Sequence, residues 1–346
     1  MPSLPFTLGV LDQSPVAEGS TPARALHNSI DLATLAESLG YTRYWVAEHH
    51  GSPTIAGSTP EVLIGAIASA TSHIRVGSGG VMLPHYSPFK VAEAFSMLAG
   101  LHGPRIDLGL GRAAGTDPTT TFALQRDRRT APPDDFPSHL AELLAYLSDT
   151  MPAGHPFARL ARTLPGLPER PEPWLLGSSP QSGIWAAELG LPYAFADFIS
   201  PHGEQIVARY REEFVGSIWS EKPRVVAAVW VVCAETDEEA DRLSASSEMT
   251  FTLLTRGELI PVPTVERALR WREEERRRPP NALPVVSRQR RRIVGSPATV
   301  RAGLEAVARE YAADEVMIVT ITHDHDARRR SYELIARECG LRPVAG

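Results

Sequence analysis

The chain has 346 residues, of which 43% are hydrophobic and 22% are charged, and its formal net charge at pH 7 is -6. The acidic balance argues against nucleic acid as the main partner, and no apolar run approaches the roughly 20 residues that a membrane-spanning helix needs. The first residues lack the basic flank and long apolar stretch of a signal peptide, so we expect a cytoplasmic protein with no membrane partner. Cys233 and Cys339 lie far apart in the sequence, which argues against a disulfide framework and against a cysteine metal site.

Strand-like and helix-like patterns alternate along the chain. The predicted strands are Phe6–Leu11, Tyr44–Ala47, Ile74–Leu83, Arg105–Leu110, Trp174–Leu176, Tyr193–Ala196, Val225–Cys233 and Glu315–Thr320. The predicted helices are Pro22–Leu39, Pro60–Thr71, Pro88–Leu101, Phe136–Ser148, Pro180–Leu189, Gly203–Phe214, Asp237–Leu254, Val265–Arg278, Pro297–Tyr311 and Ala327–Cys339. Such alternation favours a parallel sheet that closes into a barrel. The predicted fold class is therefore α/β, a (β/α)8 TIM barrel with insertions, in a single domain over residues 1–346.

Three connections between the predicted elements are long and irregular. Residues 113–135 and 150–172 are rich in proline, threonine and charged residues, and residues 257–295 place several prolines around a highly charged helix. Long connections in compact enzymes are often lids over an active site, so segment 257–295 is a candidate lid. The alternative is that these segments are surface insertions.

One strand end carries a pattern typical of anion-binding sites. Segment Leu176–Ser182 follows a predicted strand and begins a predicted helix. Free N–H groups at a helix start bind phosphate, and Ser178, Ser179 and Ser182 can add hydroxyl donors. Arg112, at the end of another strand, can add a charge-assisted hydrogen bond. The alternative is an ordinary helix cap by Ser178 or Ser179, but with Arg112 on the same rim a phosphate site is the better interpretation.

Two histidines, His49 and His50, follow Glu48 at the end of a short predicted strand. A histidine titrates near neutral pH and suits general acid–base chemistry, whereas the alternative is hydrogen bonding at the barrel rim. Because strand side chains alternate between faces, at most one of the two is expected to point toward the barrel axis. A metal site within His323–His325 is conceivable, but the spacing fits no metal-binding template, so we expect no metal.

Four motifs occur in order along the chain, each at the end of a predicted strand. They are Trp45–His50 (Trp-Val-Ala-Glu-His-His), Val76–Pro84 (Val-Gly-Ser-Gly-Gly-Val-Met-Leu-Pro), Gly109–Arg112 (Gly-Leu-Gly-Arg), and Gly177–Ser182 (Gly-Ser-Ser-Pro-Gln-Ser), the last followed by Trp185–Pro192. Together they make the chain resemble the bacterial luciferase-like family of flavin-dependent monooxygenases. The resemblance covers most of the chain and is strongest over residues 6–115, 173–215 and 293–337.

The resemblance implies a barrel that binds reduced FMN, which reacts with dioxygen to give a flavin hydroperoxide. That species would oxidise a small organic substrate such as an aldehyde or a ketone. The residues implied to lie near the flavin ring are Gly79, Gly80, Val81 and Met82. The residues implied to bind the phosphate are Arg112, Ser178, Ser179 and Ser182.

The resemblance also implies a catalytic base at His49, supported by its neighbours Glu48 and His50. It further implies a cis peptide bond between Gly79 and Gly80, against the flavin ring. Glycine lowers the steric objection to such a bond, although the cis amide itself costs about 3 kcal/mol.

The chain departs from luciferase at two positions. Gly111 stands where luciferase has a reactive cysteine beside the flavin, and Ser178 stands where luciferase has an acidic residue. The first change leaves space over the flavin and argues against light emission. The second makes the phosphate site less anionic, which is compatible with FMN.

The glycines of Gly109–Gly115 have the wrong spacing for a dinucleotide-binding fingerprint, so we expect a separate flavin reductase to supply the reduced cofactor. The resemblance further suggests a homodimer. Three alternatives stay open: a deazaflavin-dependent hydride-transfer enzyme of the same fold, a non-catalytic flavin-binding protein, and a barrel for an unrelated phosphorylated substrate.

Overall fold

The computed structural model describes residues 4–113, 116–125, 128, 135–277 and 291–343. The strands in these residues are β1 Thr7–Asp12, β2 Arg43–Val46, β3 Arg75–Met82, β4 Ile106–Gly111, β5 Glu172–Gly177, β6 Tyr193–Ala196, β7 Val225–Cys233, β8 Arg292–Gly295 and β9 Glu315–Val319. The helices are α1 Pro22–Leu39, α2 Pro60–Ala70, α3 Pro88–His102, α4 Pro118–Leu124, α5 Phe136–Ser148, α6 Pro180–Glu188, α7 Glu204–Glu212, α8 Asp237–Thr255, α9 Val265–Arg276, α10 Pro297–Glu310 and α11 His325–Cys339. Across this described part, no helix has both the length and the apolar character needed to cross a membrane.

Eight of the strands close into a barrel. Strands β1 to β6 pair in chain order, β6 pairs with β7, β7 with β9, and β9 returns to β1, with every pairing parallel. A closed parallel barrel leaves no exposed sheet edge, which is why the apolar strands can be buried on both faces. The predicted (β/α)8 barrel is confirmed.

Strand β8 is a correction to the sequence prediction, which placed no strand in segment 257–295. It pairs with the last four residues of β7, from Trp230 to Cys233. Strand β7 pairs with β9 along one edge as far as Trp230. Along its other edge, β7 pairs first with β6, up to Ala228, and then with β8, from Trp230 onward. Four residues, Arg-Ile-Val-Gly, after a proline-rich and charged stretch carry too little pattern to be identified as a strand.

Proline and glycine mark the helix boundaries much as predicted. Proline stands in the first turn of α1, α2, α3, α5, α6 and α10, where its missing N–H costs nothing. The predicted start of the final helix at Ala327 was wrong by two residues, because the Asp324 side chain accepts a hydrogen bond from the N–H of Ala327 and so begins α11 at His325. Helix α4 was not predicted, and it lies within segment 113–135.

Two hydrophobic layers lie on either side of the barrel wall. The larger layer fills the space between the strands and the surrounding helices. The smaller one fills the barrel itself with Leu11, Trp45, Trp174, Trp230 and Met317 among others. Because this interior is packed with large side chains, any functional cavity must lie above it, at the ends of the strands.

Buried ion pairs fill the N-terminal end of the barrel. Asp107 is fully buried and accepts hydrogen bonds from Arg43, from Nε of Arg75 at 3.0 Å and from Nε1 of Trp45 at 2.9 Å. Arg43 also pairs with Glu315 at 3.0 Å. Burial alone would raise the pKa of Asp107, but the two arginines hold it below its usual value. This end of the barrel therefore stabilises the fold, whereas the C-terminal end carries the candidate chemistry.

The described part of the candidate lid packs against the body of the protein. The N–H of Val262 donates to the carbonyl of Val16, and the N–H of Glu18 donates to the carbonyl of Val262, both at 2.8 Å. Helix α9 packs along α8 and buries Ala268. Residues 278–290 lie outside the described residues, so the lid itself stays a prediction.

Candidate functional site

A cavity of about 480 Å³ opens at the C-terminal ends of the barrel strands. Its walls come from the ends of β3, β4, β5 and β6, and its floor from inward side chains of β1, β2, β7 and β9. Apolar and glycine residues form most of this lining, with a few polar groups at one side, which is the usual character of a cofactor pocket. The lining includes Leu11, Trp45, Gly79, Gly80, Met82, Gly111, Arg112, Phe136, Ser178, Ser179, Ser182, Trp185, Phe198, Ile199, Ala228 and Met317.

Seven of the eight residues predicted for cofactor binding line this cavity. Val81 is the exception, because it alternates with Gly80 and Met82 along β3. Its side chain is 2% exposed and packs into the outer layer between strands and helices. The Val81 side chain thus faces away from the cavity, and the role of Val81 in cofactor binding stays a prediction.

The peptide bond between Gly79 and Gly80 is cis, as expected. Neither glycine has room for a side chain. A Cβ on Gly79 would lie 2.5 Å from Cδ1 of Leu11, and a Cβ on Gly80 would lie 2.8 Å from the carbonyl oxygen of Gly109. The register between β3 and β4 also shifts at this point. These contacts explain why glycine stands at both positions in the wall of the cavity.

The polar side of the cavity lies where β5 turns into α6. Ser179 is the residue before this helix and its hydroxyl makes no capping hydrogen bond, while Pro180 occupies the first turn. The Arg112 guanidinium lies across the same rim, 5.7 Å from the centroid of the Trp185 ring. Arg112, Ser178 and Ser179 thus form a donor set at a helix start, suited to an anion.

Ser182 lines the cavity, but its hydroxyl is already hydrogen-bonded to other groups of the protein. It donates to the carbonyl of Ser179 at 2.7 Å and lies 2.9 Å from the hydroxyl of Tyr193. Burial raises the pKa of Tyr193 to about 12, so this phenol stays protonated. Ser182 therefore braces the turn that carries Ser178 and Ser179, and a phosphate would compete with a carbonyl for its proton.

Glu48 is fully buried and joins three elements of the rim. Its Oε2 accepts a hydrogen bond from the N–H of Met82 at 2.9 Å, and its Oε1 accepts one from the hydroxyl of Tyr86 at 3.0 Å. Nε2 of His50 lies 2.7 Å from the same Oε1, and the His50 ring stands edge-on to that of His85. The carboxylate thereby fixes both His50 and the end of β3.

His49 points away from this network. Its backbone N–H donates to the carbonyl of Gly57 at 2.8 Å, and its buried Nδ1 has no hydrogen-bond partner among the described residues. Burial, with a smaller contribution from His50, lowers the pKa of His49 to about 4, so the ring is neutral at pH 7. Neither His49 nor His50 is among the residues that line the cavity. Their catalytic roles stay predictions.

Several cavity residues were not predicted from the sequence. Leu11, Trp45, Phe198 and Met317 come from four different strands or strand ends and meet only in the folded barrel. The alternation of inward-facing and outward-facing residues along each predicted strand could have indicated these four residues. Tyr86 carried no such signal, because it reaches Glu48 from a short turn after β3.

The conceivable metal site does not assemble. Nε2 of His323 contacts the carbonyl of Glu18 at 3.1 Å, whereas Nε2 of His325 pairs with Asp31 at 2.8 Å. These partners hold the two rings in separate surroundings.

Residues 6–315 match the family model of the luciferase-like monooxygenases. The chain belongs to this family. The match confirms the resemblance inferred from the four strand-end motifs, and it makes the protein an enzyme of a monooxygenase family with a TIM-barrel fold.

Relatives of similar length cover nearly the whole chain. The YwcH protein of Bacillus subtilis is 45% identical, over 95% of this chain and 98% of the relative. A luciferase-like monooxygenase of Escherichia coli is 40% identical, over 95% and 96% of the two chains. The N-acetyl-S-alkylcysteine monooxygenase of Bacillus subtilis is 37% identical, over 95% and 97%.

Solved structures share the fold. The crystal structure of apo-MsnO8 matches with a TM-score of 0.87 and 41% identity, over 98% of this chain and 99% of the other. The oxygenating constituent of 3,6-diketocamphane monooxygenase from Pseudomonas putida, in complex with FMN, matches with a TM-score of 0.71 and 20% identity, over 96% and 97%. An F420-dependent secondary alcohol dehydrogenase matches with a TM-score of 0.65 and 12% identity, over 96% and 99%. At these identities the last two show the fold alone.

Proposed function

We propose that this protein is an FMN-dependent monooxygenase that transfers one oxygen atom of dioxygen to a small organic substrate and releases the other as water. One observation carries the proposal: a single cavity combines a phosphate-type donor set with a glycine-lined, apolar wall. The donors are Arg112, Ser178 and Ser179 at the start of α6, and the wall is formed by Gly79, Gly80 and their neighbours.

The residues present fit FMN. A doubly charged phosphate suits a guanidinium and two hydroxyls at a helix start. The ring system needs a broad apolar slot, and the cavity of about 480 Å³ provides one beside Gly79, Gly80 and Met82. Reduced FMN would supply the two electrons with which dioxygen is activated.

The chain's own residues would protect and direct this chemistry. Trp45, Phe198 and Met317 present apolar surface to the cavity, and apolar walls keep water from a reactive intermediate. We propose His49 as the base, as the family resemblance implies; its ring is unprotonated at pH 7, and burial makes it a weaker base than an exposed histidine. Glu48 would act as a positioning residue through His50 and the N–H of Met82.

The substrate class that we propose first is a thioether. The N-acetyl-S-alkylcysteine monooxygenase of Bacillus subtilis is 37% identical over nearly the full length of both chains. An N-acetyl-S-alkylcysteine is thus better supported as a first candidate than the aldehydes and ketones that the family resemblance implied.

The supply of electrons and the assembly state are also part of the proposal. A separate flavin reductase in the cytoplasm would deliver reduced FMN, which ties this enzyme to the same compartment. A homodimer through the early helices is supported by α3, where Met97 is 54% exposed and Leu101, one turn further on, is 69% exposed. Sedimentation analysis that finds only a monomer at micromolar concentration would contradict the homodimer.

The cofactor assignment is tested by titrating the purified protein with FMN, riboflavin and F420. We expect FMN to bind more tightly than riboflavin, because only FMN carries the phosphate. Binding of F420 but not FMN would overturn the proposal in favour of hydride transfer by a deazaflavin. Binding of FMN with no oxygen-dependent product from any thioether, aldehyde or ketone would favour a non-catalytic flavin-binding protein.

A further inference from the structure

A second cavity, of about 310 Å³, lies on the other side of the barrel mouth. It is enclosed by the C-terminal half of β7, by β8, and by helices α8 and α9. The residues that matter for its chemistry are Trp230, Glu248, Phe251, Trp271, Glu275 and Arg292.

The Trp230 and Phe198 rings lie between the two cavities. Ala228 lines the first cavity and Trp230 lines the second, and the two stand on the same face of β7. The Trp230 ring lies 5.5 Å from that of Phe198, which lines the first cavity, and Nε1 of Trp230 donates to the carbonyl of Phe198 at 3.2 Å. A molecule in the second cavity therefore lies directly beside the proposed cofactor site.

One wall of the second cavity is aromatic. The Trp230 and Phe251 rings have centroids 4.3 Å apart, and Trp271 adds a third ring from α9. Surfaces of this kind hold apolar chains or rings of a ligand.

The charged groups of the lining differ in how firmly they are paired. Glu248 is held at 2.7 Å by Arg272, whose side chain is only 8% exposed. Glu275 is paired with Arg256, and both of these side chains are largely buried. Each acidic group is therefore already paired with an arginine, and Arg272 also pairs with Asp241 at 2.9 Å.

Arg292 is different. It approaches Glu248 only at 3.4 Å, and its side chain is 38% exposed. A contact of this length is weak for a charge-assisted hydrogen bond, which normally spans about 2.7–2.9 Å. The Arg292 guanidinium can thus turn toward an incoming anion while Glu248 keeps its 2.7 Å contact to Arg272, and the Glu248 side chain, 30% exposed, also stays in contact with solvent.

We propose that the second cavity binds the organic substrate, with a carboxylate at Arg292 and an apolar portion against Trp230, Phe251 and Trp271. The substrate class is an amphipathic carboxylic acid; in an N-acetyl-S-alkylcysteine the sulfur lies between the carboxylate and the alkyl chain, so it would lie beside Trp230, which stands between the two cavities. This inference rests on the proposed function, since it assigns the first cavity to the cofactor.

The test uses two ligands of the same size and shape, one with a carboxylate and one with a neutral group in its place. Calorimetry would compare N-acetyl-S-hexylcysteine with its neutral carboxamide, each titrated into the protein with and without saturating oxidised FMN. The variants are Arg292→Gln and, as a matched control, Arg270→Gln, which removes an exposed arginine of α9 outside the cavity lining. Thr252→Phe, which fills part of the cavity, provides a second variant that leaves Arg292 in place.

We expect the wild type to bind the carboxylate about 10- to 100-fold more tightly than the carboxamide, the difference that a charge-assisted hydrogen bond commonly makes. Arg292→Gln should abolish that preference, Arg270→Gln should keep it, and Thr252→Phe should weaken both ligands without changing FMN affinity. Equal binding of the two ligands, no binding of either, or an unchanged preference in Arg292→Gln would overturn the inference. Failure of FMN to bind while the carboxylate preference persists would instead overturn the proposed function and retain the carboxylate site.

Discussion

The Glu48 carboxylate accepts a hydrogen bond from the backbone N–H of Met82 at 2.9 Å, and this contact ties the end of β2 to the end of β3. Met82 lines the first cavity, whereas Glu48 is fully buried behind it. The same carboxylate is bonded to His50 and Tyr86. One buried side chain thus fixes the wall of the cavity and the orientation of a neighbouring histidine.

Glu48→Gln should lower FMN affinity and stability together. A glutamine keeps the shape of the side chain, but its NH₂ group cannot accept hydrogen bonds, so one donor loses its acceptor. The expected loss in the free energy of unfolding is about 1–3 kcal/mol. Chemical denaturation and an FMN titration of the same preparation check both effects.

Glu93→Gln is the matched control, because Glu93 lies on α3 with a partly exposed side chain and its contact to Lys90 is 3.6 Å long. If Glu48→Gln behaved like this control in both measurements, Glu48 would have no positioning role.

His49 should make stability fall as the pH is lowered from about 6.5 to 4. Its folded-state pKa is lowered to about 4, whereas an unfolded histidine titrates near about 6.5. Between these values the unfolded state binds a proton that the native state does not, so stability increases with pH across this window. Denaturation of the wild type and of His49→Gln between pH 4 and 7 measures this contribution.

The same variant tests the proposed base. His49→Gln should slow turnover about 10²- to 10⁴-fold with FMN still bound, whereas His73→Gln, which changes an exposed surface histidine, should leave the rate unchanged. Equal turnover in His49→Gln and the wild type would mean that another group holds the proton.

Arg112→Gln should weaken FMN binding but leave riboflavin binding unchanged. The substitution removes a charge-assisted contact to the phosphate, and such contacts commonly contribute about 1.5–3 kcal/mol, or roughly 10- to 100-fold in affinity. Fluorescence titrations with the two flavins check this difference. An equal loss of affinity for both flavins would indicate that Arg112 shapes the cavity rather than binding the phosphate.

Asp107→Asn should destabilise the fold without a matching loss of FMN affinity. Removing the charge leaves Arg43 with Glu315 and Arg75 with Glu172 as their remaining carboxylate partners, so the expected cost is at most the about 3–5 kcal/mol of breaking a buried ion pair outright. An asparagine oxygen can still accept the hydrogen bond from Trp45, so the cavity floor should hold its place. Thermal denaturation and an FMN titration separate these effects, and an unchanged melting temperature would show that the ion pairs at this end are dispensable.

Most of the barrel was predictable because local signals and the global fold agree. Prolines mark the first turn of six predicted helices, and short apolar runs alternate with them. Strand β8 was missed because its four residues form a strand only by pairing with β7, a long-range contact that no local pattern encodes.

The polar part of the candidate site was predictable, and the apolar part was not. Arg112, Ser178 and Ser179 follow strand ends, so sequence position alone brings them to the rim. Trp45 and Met317, by contrast, meet only when the barrel closes. The second cavity was missed for the same reason, since it depends on how α8 and α9 pack against β7 and β8.

The most direct test of the central claim is product analysis under ¹⁸O₂. Reduced FMN would be bound anaerobically, N-acetyl-S-hexylcysteine added, and the mixture exposed to labelled dioxygen. The account predicts FMN-dependent product that carries one ¹⁸O atom per molecule. Oxidation of the bound FMN to yield only hydrogen peroxide, with this thioether and a panel of aldehydes and ketones all recovered unchanged, would contradict it.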